Sequence, residues 1–298
     1  VYKRQGIELA LSALVDPGDN VLFPSPDYPL YPAVMSKLRG ETRHYLLDED
    51  NAWQPDLADM EAKIDEKTRA IVVINPNNPT GSLASSETLE QIVELAKKYN
   101  LLLMTDEIYD KLLFDDSIKP TALASLTGDH PCITFNGIGK AFAGPGLRMG
   151  WSIISGAEEH VGDFRKAFMR MARARLCANT PMQWGIKAAL EGDMTHTRNM
   201  VARIQEQTEL VVSRLNGLEG FRCIEPKGAF YIFPTIRYQG SDVEFVHDLM
   251  RATGVVTVPG SGFAQRPGTK HIRIVTLPPK ETLSRAMDLF EDFVNKAR

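Results

Sequence analysis

The chain has 298 residues, more than one small core usually organises, so a large unit with a smaller one beside it is expected. A composition of 43% hydrophobic and 24% charged residues excludes a disordered or fibrous chain, and a net charge of -4 with scattered Lys and Arg leaves no basic footprint for nucleic acid or anionic lipid. The three cysteines, Cys132, Cys177 and Cys223, form no CxxC pair and have no histidine at metal-ligand spacing; with no apolar run of transmembrane length, this predicts a reducing, cytoplasmic setting and small-molecule partners.

In chain order, short apolar runs bounded by turn residues alternate with amphipathic stretches. Residues 21–23, 42–47, 70–74, 101–105, 133–135 and 151–154 read as buried strands. Residues 86–99 (SETLEQIVELAKKY) repeat apolar positions at three and four, which predicts a helix with Ser85 or Ser86 as its N-cap. Strand, helix, strand repetition predicts an α/β fold whose mostly parallel sheet is covered by helices on both faces. Ligands of such sheets sit beyond the carboxyl ends of the strands, which selects segments 75–81, 106–109 and 136–140. A long polar helical stretch then runs from 194 to 215. After it, short strands around 229–233, 255–258 and 271–275 interleave with helices near 242–252 and 280–296. The prediction is a large unit over 1–200 and a smaller α+β unit over 201–298.

The selected loops carry Asn78, Asp106, Tyr109, Lys140 and Arg148. An aromatic aldehyde with a phosphate tail needs an amine, an anion near its ring nitrogen, donors to its phenolic oxygen and a cation for the phosphate, and this set offers each. Lys140 follows a strand in NGIGKAFAGPGLRMGW, where small residues let a flat ring approach the backbone. Desolvation in such a place favours a lysine's neutral, nucleophilic form, although most lysines lie on the surface. Asp106 ends the apolar run LLLMTD; it suits the cap of a helix over EIYDKL and the partner of a ring nitrogen equally well. Tyr109 falls on the same face of that predicted helix start, with ordinary core packing as the plainer reading. Asn78 suits a turn with Pro79 and Gly81, Tyr28 a rigid turn among prolines, and Arg148 and Arg273 surface ion pairs. Arg273 nevertheless alternates with Ile272 and Ile274, as a side chain leaving a strand toward a cleft does.

Taken in order, NPNNPTG at 75–81, DEIYDKL at 106–112, GIGK with Arg148 eight residues beyond Lys140, and RIVTLPP at 273–279 resemble the fold-type I aminotransferases, which use pyridoxal 5'-phosphate. PDYPLY, INPNNPTG, RLCANTP, PKGAFYIFP, VPGSGF and HIRIVTLPP resemble the alanine aminotransferase branch of that family. The resemblance spans nearly the whole chain. It implies Lys140 as the amine that carries the cofactor and moves the proton at the substrate Cα. It implies Asp106 as the partner of the ring nitrogen, Asn78 and Tyr109 as donors to the phenolic oxygen, Arg148 as the phosphate ligand and Tyr28 as the ring stacked on the cofactor. Arg273, with Asn78, would bind the substrate carboxylate, and Arg175 in RLCANTP is a candidate for a distal carboxylate.

The implied reaction moves the amino group of L-alanine to 2-oxoglutarate, giving pyruvate and glutamate, in a cytoplasmic homodimer with no metal, membrane or nucleic acid. Aspartate or aromatic transamination, β-elimination on the same cofactor and an inactive truncated fragment are the alternatives. A regulatory ligand-binding module is the alternative outside enzymes. The first 20 residues, which hold no helix-turn-helix pattern or basic stretch, do not favour it.

The resemblance breaks at the start. Relatives place a glycine followed by small or hydroxyl residues at the first helix, where they cradle the phosphate; here Lys3 and Arg4 stand in those positions. The opening VYKRQ also resembles the translated read-through of a sequencing-library adapter, so residues 1–5 are expected not to be native and a preceding portion to be missing. Gly137 and Gly139 stand where many relatives carry hydroxyl residues. Phosphate binding is therefore expected to lean on Arg148, and cofactor retention to be weak.

Overall fold

Successive residues of a strand point to opposite faces of a sheet, so a strand that is apolar throughout needs cover on both sides. The computed structural model describes residues 3–115, 117–118 and 120–296. Seven strands form one sheet: β1 (Asn20–Ser25), β2 (Glu41–Asp48), β3 (Gln54–Pro55), β4 (Thr68–Ile74), β5 (Leu102–Asp106), β6 (Cys132–Gly137) and β7 (Gly150–Ser155), in the order β3-β2-β1-β4-β5-β6-β7. The run β2-β1-β4-β5-β6 is parallel, and β3 and β7 close its edges antiparallel.

Helices α1 (Lys3–Leu14), α2 (Leu30–Leu38), α3 (Leu57–Ala62), α4 (Ser86–Lys98), α5 (Glu158–Ala174), α6 (Thr180–Glu191) and α7 (Thr195–Asn216) come in sequence order before, among and after these strands. Phe23, Val72 and Met104 pack with Ile7 and Leu11 of α1, Met35 of α2 and Phe168 of α5. Their strand neighbours Leu22, Ile71, Val73 and Leu103 pack with Leu89, Ile92 and Val93 of α4 on the other face. Each such side chain contributes about 1.5–3 kcal/mol on burial, which makes the sheet the rigid frame for what its edges carry. Ser85, and not Ser86, caps α4, its side chain accepting from the Thr88 amide.

Beyond α7 lie β8 (Phe221–Arg222), β9 (Tyr231–Ile232), β10 (Thr235–Ile236), α8 (Asp242–Thr253), β11 (Val258–Pro259), β12 (Ile272–Val275) and α9 (Lys280–Lys296). Two small antiparallel sheets, β10-β8 and β11-β12-β9, pack with α8, α9 and the end of α7 around Val211, Leu215, Ile232, Phe245, Leu249 and Phe290. Among the described residues no helix is long and apolar enough to cross a membrane.

One expected element is absent. EIYDKL forms a turn, closed by the Asp110 amide on Glu107 O (3.0 Å) and the Leu112 amide on Tyr109 O (2.8 Å). The chain must straighten at once to bridge Leu113 to Gly228, and this long-range pairing overrides the local helical pattern.

Gly81 ties the loop after β4 to the smaller unit, its carbonyl accepting from the Lys227 and Gly228 amides. Its φ is +69°, and a Cβ there would lie 2.5 Å from Pro226 Cβ and 2.8 Å from Gly228 O. Gly81→Ala is expected to lower stability by about 2–4 kcal/mol, through left-handed strain and overpacking together. Urea denaturation followed by circular dichroism checks this; a loss below about 1 kcal/mol would show that the junction yields.

Candidate functional site

Parallel pairing brings three strand ends into line: Ile74 of β4 lies beside Asp106 of β5, and Asp106 beside Phe135 of β6. The segment after β4 supplies Asn78, and β5 and its turn supply Asp106 and Tyr109. The loop from 138 to 149 supplies Lys140 and Arg148. That loop is held short because Gly137 pairs directly with Gly150, where any Cβ would collide with Asn136 O at 2.8 Å. Tyr28 follows β1, and Arg273 and Tyr231 reach in from β12 and β9. Seven of the eight candidate site residues, all but Arg175, line one cavity of about 300 Å³, together with Lys3, Arg4 and Tyr231. This is the size of a small-molecule pocket.

Asp106, 1% exposed, is the anion at its floor. The Tyr31 hydroxyl donates to Oδ2 at 3.3 Å, the Ile108 amide to Oδ1 at 3.3 Å, and the Lys3 ammonium to Oδ2 at 2.5 Å. Burial first, and then the neighbouring Asp106 charge, raise the Tyr31 hydroxyl well above its ordinary pKa. Burial first, and then Tyr231, do the same for Tyr109. Burial also raises Tyr28. These phenols therefore stay protonated near neutral pH and remain hydrogen-bond donors. Tyr109 donates to the Tyr231 hydroxyl at 3.2 Å.

Arg273 Nη1 donates to Asn78 Oδ1 at 3.0 Å, and its Cζ lies 4.6 Å from the Tyr231 ring centre and 4.5 Å from that of Phe263. The guanidinium is thus gripped by two rings and one amide, while its buried Nε has no hydrogen-bond partner. Burial lowers its pKa from the ordinary arginine value. An oriented, desolvated guanidinium with an unsatisfied edge is built to receive a planar anion.

Lys140 Nζ lies 4.9 Å from the Phe230 ring centre and 5.7 Å from that of Tyr109. Thr197 of α7 donates to Ala141 O at 2.9 Å and so anchors the loop beside it. Arg148, at the exposed rim, has φ 54° and donates from Nη1 to Pro145 O. Arg175 does not join this cavity: it lies exposed along a neighbouring groove shared with Arg4, Glu8 and Arg148, apart from Arg273.

Three contributors escaped the sequence reading: Tyr31, Tyr231 and Phe263. Tyr31 stands three residues from Tyr28, and Tyr231 and Phe263 lie inside PKGAFYIFP and VPGSGF, but each signal is equally consistent with core packing. The set fits an aromatic aldehyde phosphate in its amine, carboxylate, phenolic donors, stacking ring and rim cation, and the unsatisfied Arg273 Nε fits a substrate carboxylate. One residue works against the fit, since Lys3 already holds Asp106. Val1 and Tyr2 lie outside the described residues.

Comparison with known proteins identifies the family. A family model described as aminotransferase class I and II matches residues 4–290. The alanine aminotransferase of Mycobacterium tuberculosis (strain ATCC 25618 / H37Rv) is 44% identical over 304 residues, covering 99% of this chain and 70% of that protein. The glutamate-pyruvate aminotransferase AlaA of Escherichia coli (strain K12) is 39% identical over 292 residues, covering 96% of this chain and 72% of its own length. Among solved structures, an alanine aminotransferase from Pyrococcus furiosus superposes with a TM-score of 0.95 at 39% identity, covering 98% of this chain and 74% of that one.

Proposed function

The chain belongs to the class I and II aminotransferases, and from that premise we propose that it moves the amino group of L-alanine to 2-oxoglutarate with pyridoxal 5'-phosphate in the cavity beyond β4, β5 and β6. One observation carries the reading: Lys140, Asp106, Tyr109, Asn78 and Arg273, each suited to one part of that chemistry, converge on a single cavity. The names of the relatives, alanine aminotransferase at 44% and glutamate-pyruvate aminotransferase at 39% identity, support alanine with pyruvate as one substrate pair and glutamate as the amino acid of the other.

When bound, pyridoxal phosphate supplies an electron-withdrawing ring that stabilises negative charge on the substrate Cα. Lys140 Nζ would hold the cofactor and would serve as the base that takes the Cα proton and returns it, a role worth about 10²–10⁴ in rate. Asp106, steadied by the Tyr31 hydroxyl and the Ile108 amide, would keep the ring nitrogen protonated. Tyr109, by turning its hydroxyl proton from Tyr231, and Asn78 would donate to the phenolic oxygen. Because Asn78 Oδ1 accepts from Arg273, the Nδ2 end is the one left to donate. Tyr28 would cover the ring face, Arg148 would take the phosphate, and Arg273 would take the substrate carboxylate with Asn78 as its support.

The same reading assigns residues 1–200 to a cofactor-binding unit and 201–298 to a smaller one, supported by the separate core that joins Val211 to Phe290. It also takes the protein to be a cytoplasmic homodimer. Support for a second copy comes from Leu176, Trp184 and Leu190, which leave 85%, 70% and 47% of their surface exposed in and just before α6.

The test is a half-reaction. Protein loaded with pyridoxal phosphate and given L-alanine without an acceptor is expected to release stoichiometric pyruvate and no ammonia. Oxo acid from aspartate or tyrosine but not from alanine would overturn the donor assignment, and pyruvate with ammonia from a cysteine conjugate alone would replace transfer by elimination.

A further inference from the structure

His271 stands two residues before Arg273 and is a buried titratable group that the proposed chemistry leaves unused. Alternate residues of a strand share a face, so His271 and Arg273 both look toward the seven-stranded sheet while Ile272 and Ile274 pack into the core around Phe245 and Phe290. The His271 ring lies parallel to Phe233, with centres 4.7 Å apart and 3° between planes, and Trp53, just ahead of β3, meets it at 5.6 Å. Phe233 in turn meets Phe263 edge-on at 6.0 Å, and Phe263 is one of the two rings that hold the Arg273 guanidinium.

The hydrogen-bond partners assign the His271 protons. Gln265 Nε2 donates to Asp242 Oδ2 at 3.1 Å, so Gln265 Oε1, 3.1 Å from His271 Nδ1, is an acceptor. His271 Nε2 lies 3.2 Å from Oε2 of Glu49, which opens the Glu49–Asn51 turn between β2 and β3, and 3.1 Å from Thr235 Oγ1. The Thr235 hydroxyl gives its own proton to Glu49 Oε1 at 2.6 Å and is left to accept from the ring. Both ring nitrogens therefore face acceptors, and a ring that donates from both is charged. Burial would raise the Glu49 carboxyl, but the hydrogen bonds from His271 and Thr235 outweigh it and leave its pKa below the ordinary value.

We infer that His271 is a positioning residue for Arg273: bonded to Glu49 and Gln265 and stacked on Phe233, it pins the start of β12 to the β2–β3 corner and so fixes where the guanidinium meets Asn78 and the substrate carboxylate. This rests on the substrate reading above and deepens it. The pin acts over a short, paired length of backbone, since the Ile272 amide donates to Pro234 O and His271 O accepts from the Gly260 amide. Arg273 itself pairs with Val258. Lys140, Asp106 and Arg148 stand on other segments, so release of the pin is expected to weaken substrate binding and to spare cofactor binding and proton transfer.

Steady-state kinetics of the protein loaded with pyridoxal phosphate tests this, with the apparent Kd for the cofactor and the Tm as further readouts. Glu49→Gln keeps the volume and removes the carboxylate that the ring needs. It is expected to raise KM for L-alanine by about five- to tenfold, with kcat and the cofactor Kd within about twofold of wild type. His271→Gln, which keeps a donor toward Glu49 and drops the charge, is expected to show the same split to a smaller extent. Arg222→Ala, which breaks only the more exposed Arg222–Asp50 pair at the same corner, is expected to leave KM at its wild-type value. Proton NMR of the ring N–H groups, assigned by comparison with His271→Gln, is expected to show both nitrogens of His271 protonated. Unchanged KM in both Glu49→Gln and His271→Gln would overturn the inference, as would an equal rise in Arg222→Ala or a singly protonated ring. A joint decline of KM, kcat, cofactor Kd and Tm would also overturn it and leave the cluster a structural junction. No transamination of L-alanine by the wild-type protein would instead overturn the substrate reading and the inference with it.

Discussion

Lys140→Ala is expected to abolish covalent retention of pyridoxal phosphate and to lower the rate of pyruvate formation from L-alanine by at least about 10⁴. Two lysines line the cavity, Lys3 and Lys140. Lys3 is engaged by Asp106 on the floor, whereas Lys140 stands beside the Tyr109 and Phe230 rings at the end of β6. Borohydride treatment of the loaded wild-type protein, followed by peptide mass mapping, is expected to place the cofactor on the peptide containing Lys140 and on none from the variant. Label on Lys3 in the wild-type protein would move the reactive amine to the other side of the cavity and sink the assignment. A wild-type Tm for the variant would separate lost chemistry from lost fold.

Arg273→Lys is expected to raise KM for L-alanine by about 10–100-fold with a smaller change in kcat, because charge-assisted bonds contribute about 1.5–3 kcal/mol and an ammonium cannot reproduce a planar fork. The geometry makes this sharper than a general loss of charge. Tyr231 and Phe263 hold the guanidinium between their rings, Asn78 fixes Nη1, and Nε is left without a partner. A lysine Nζ has no second edge to offer while it satisfies Asn78. Steady-state kinetics separates the two parameters. A KM within about threefold of wild type would mean that the substrate carboxylate binds elsewhere, and the groove that holds Arg175 would be the next place to look.

Asp106 shows where local patterning misleads. A carboxylate ahead of EIYDKL suits a helix cap as well as a ring-nitrogen partner, yet the segment is a turn, because Leu113 must reach Gly228 in the distant 226–231 segment. Tyr109 shows that two readings can both hold: it packs in a core with Ile108, Leu112, Ile204 and Phe230 while presenting its hydroxyl to the cavity. Lys3 was visible only as a departure from the small residues that the resemblance implies at that position. Its contact with Asp106 spans 103 positions of sequence, and no local pattern encodes it.

From the amino acids alone came the positions of the strands over 21–23, 42–47, 70–74, 101–105, 133–135 and 151–154, though β2 and β7 are only partly buried, the long helix over 194–215, the smaller unit's β9, β12, α8 and α9, and the candidate amine, carboxylate, donor and guanidinium residues. These are local quantities: a period of two or 3.6 in apolar side chains, and short motifs whose turns demand particular residues. Tertiary structure alone decided which strand ends stand side by side, that Tyr31 and Tyr231 support Asp106 and Tyr109, that Arg175 stays outside, and that Lys3 sits on Asp106. Each of these depends on strand order and helix docking, which bring together residues tens to hundreds of positions apart. Their energies come from burial and pairing that exist only once the sheet has formed.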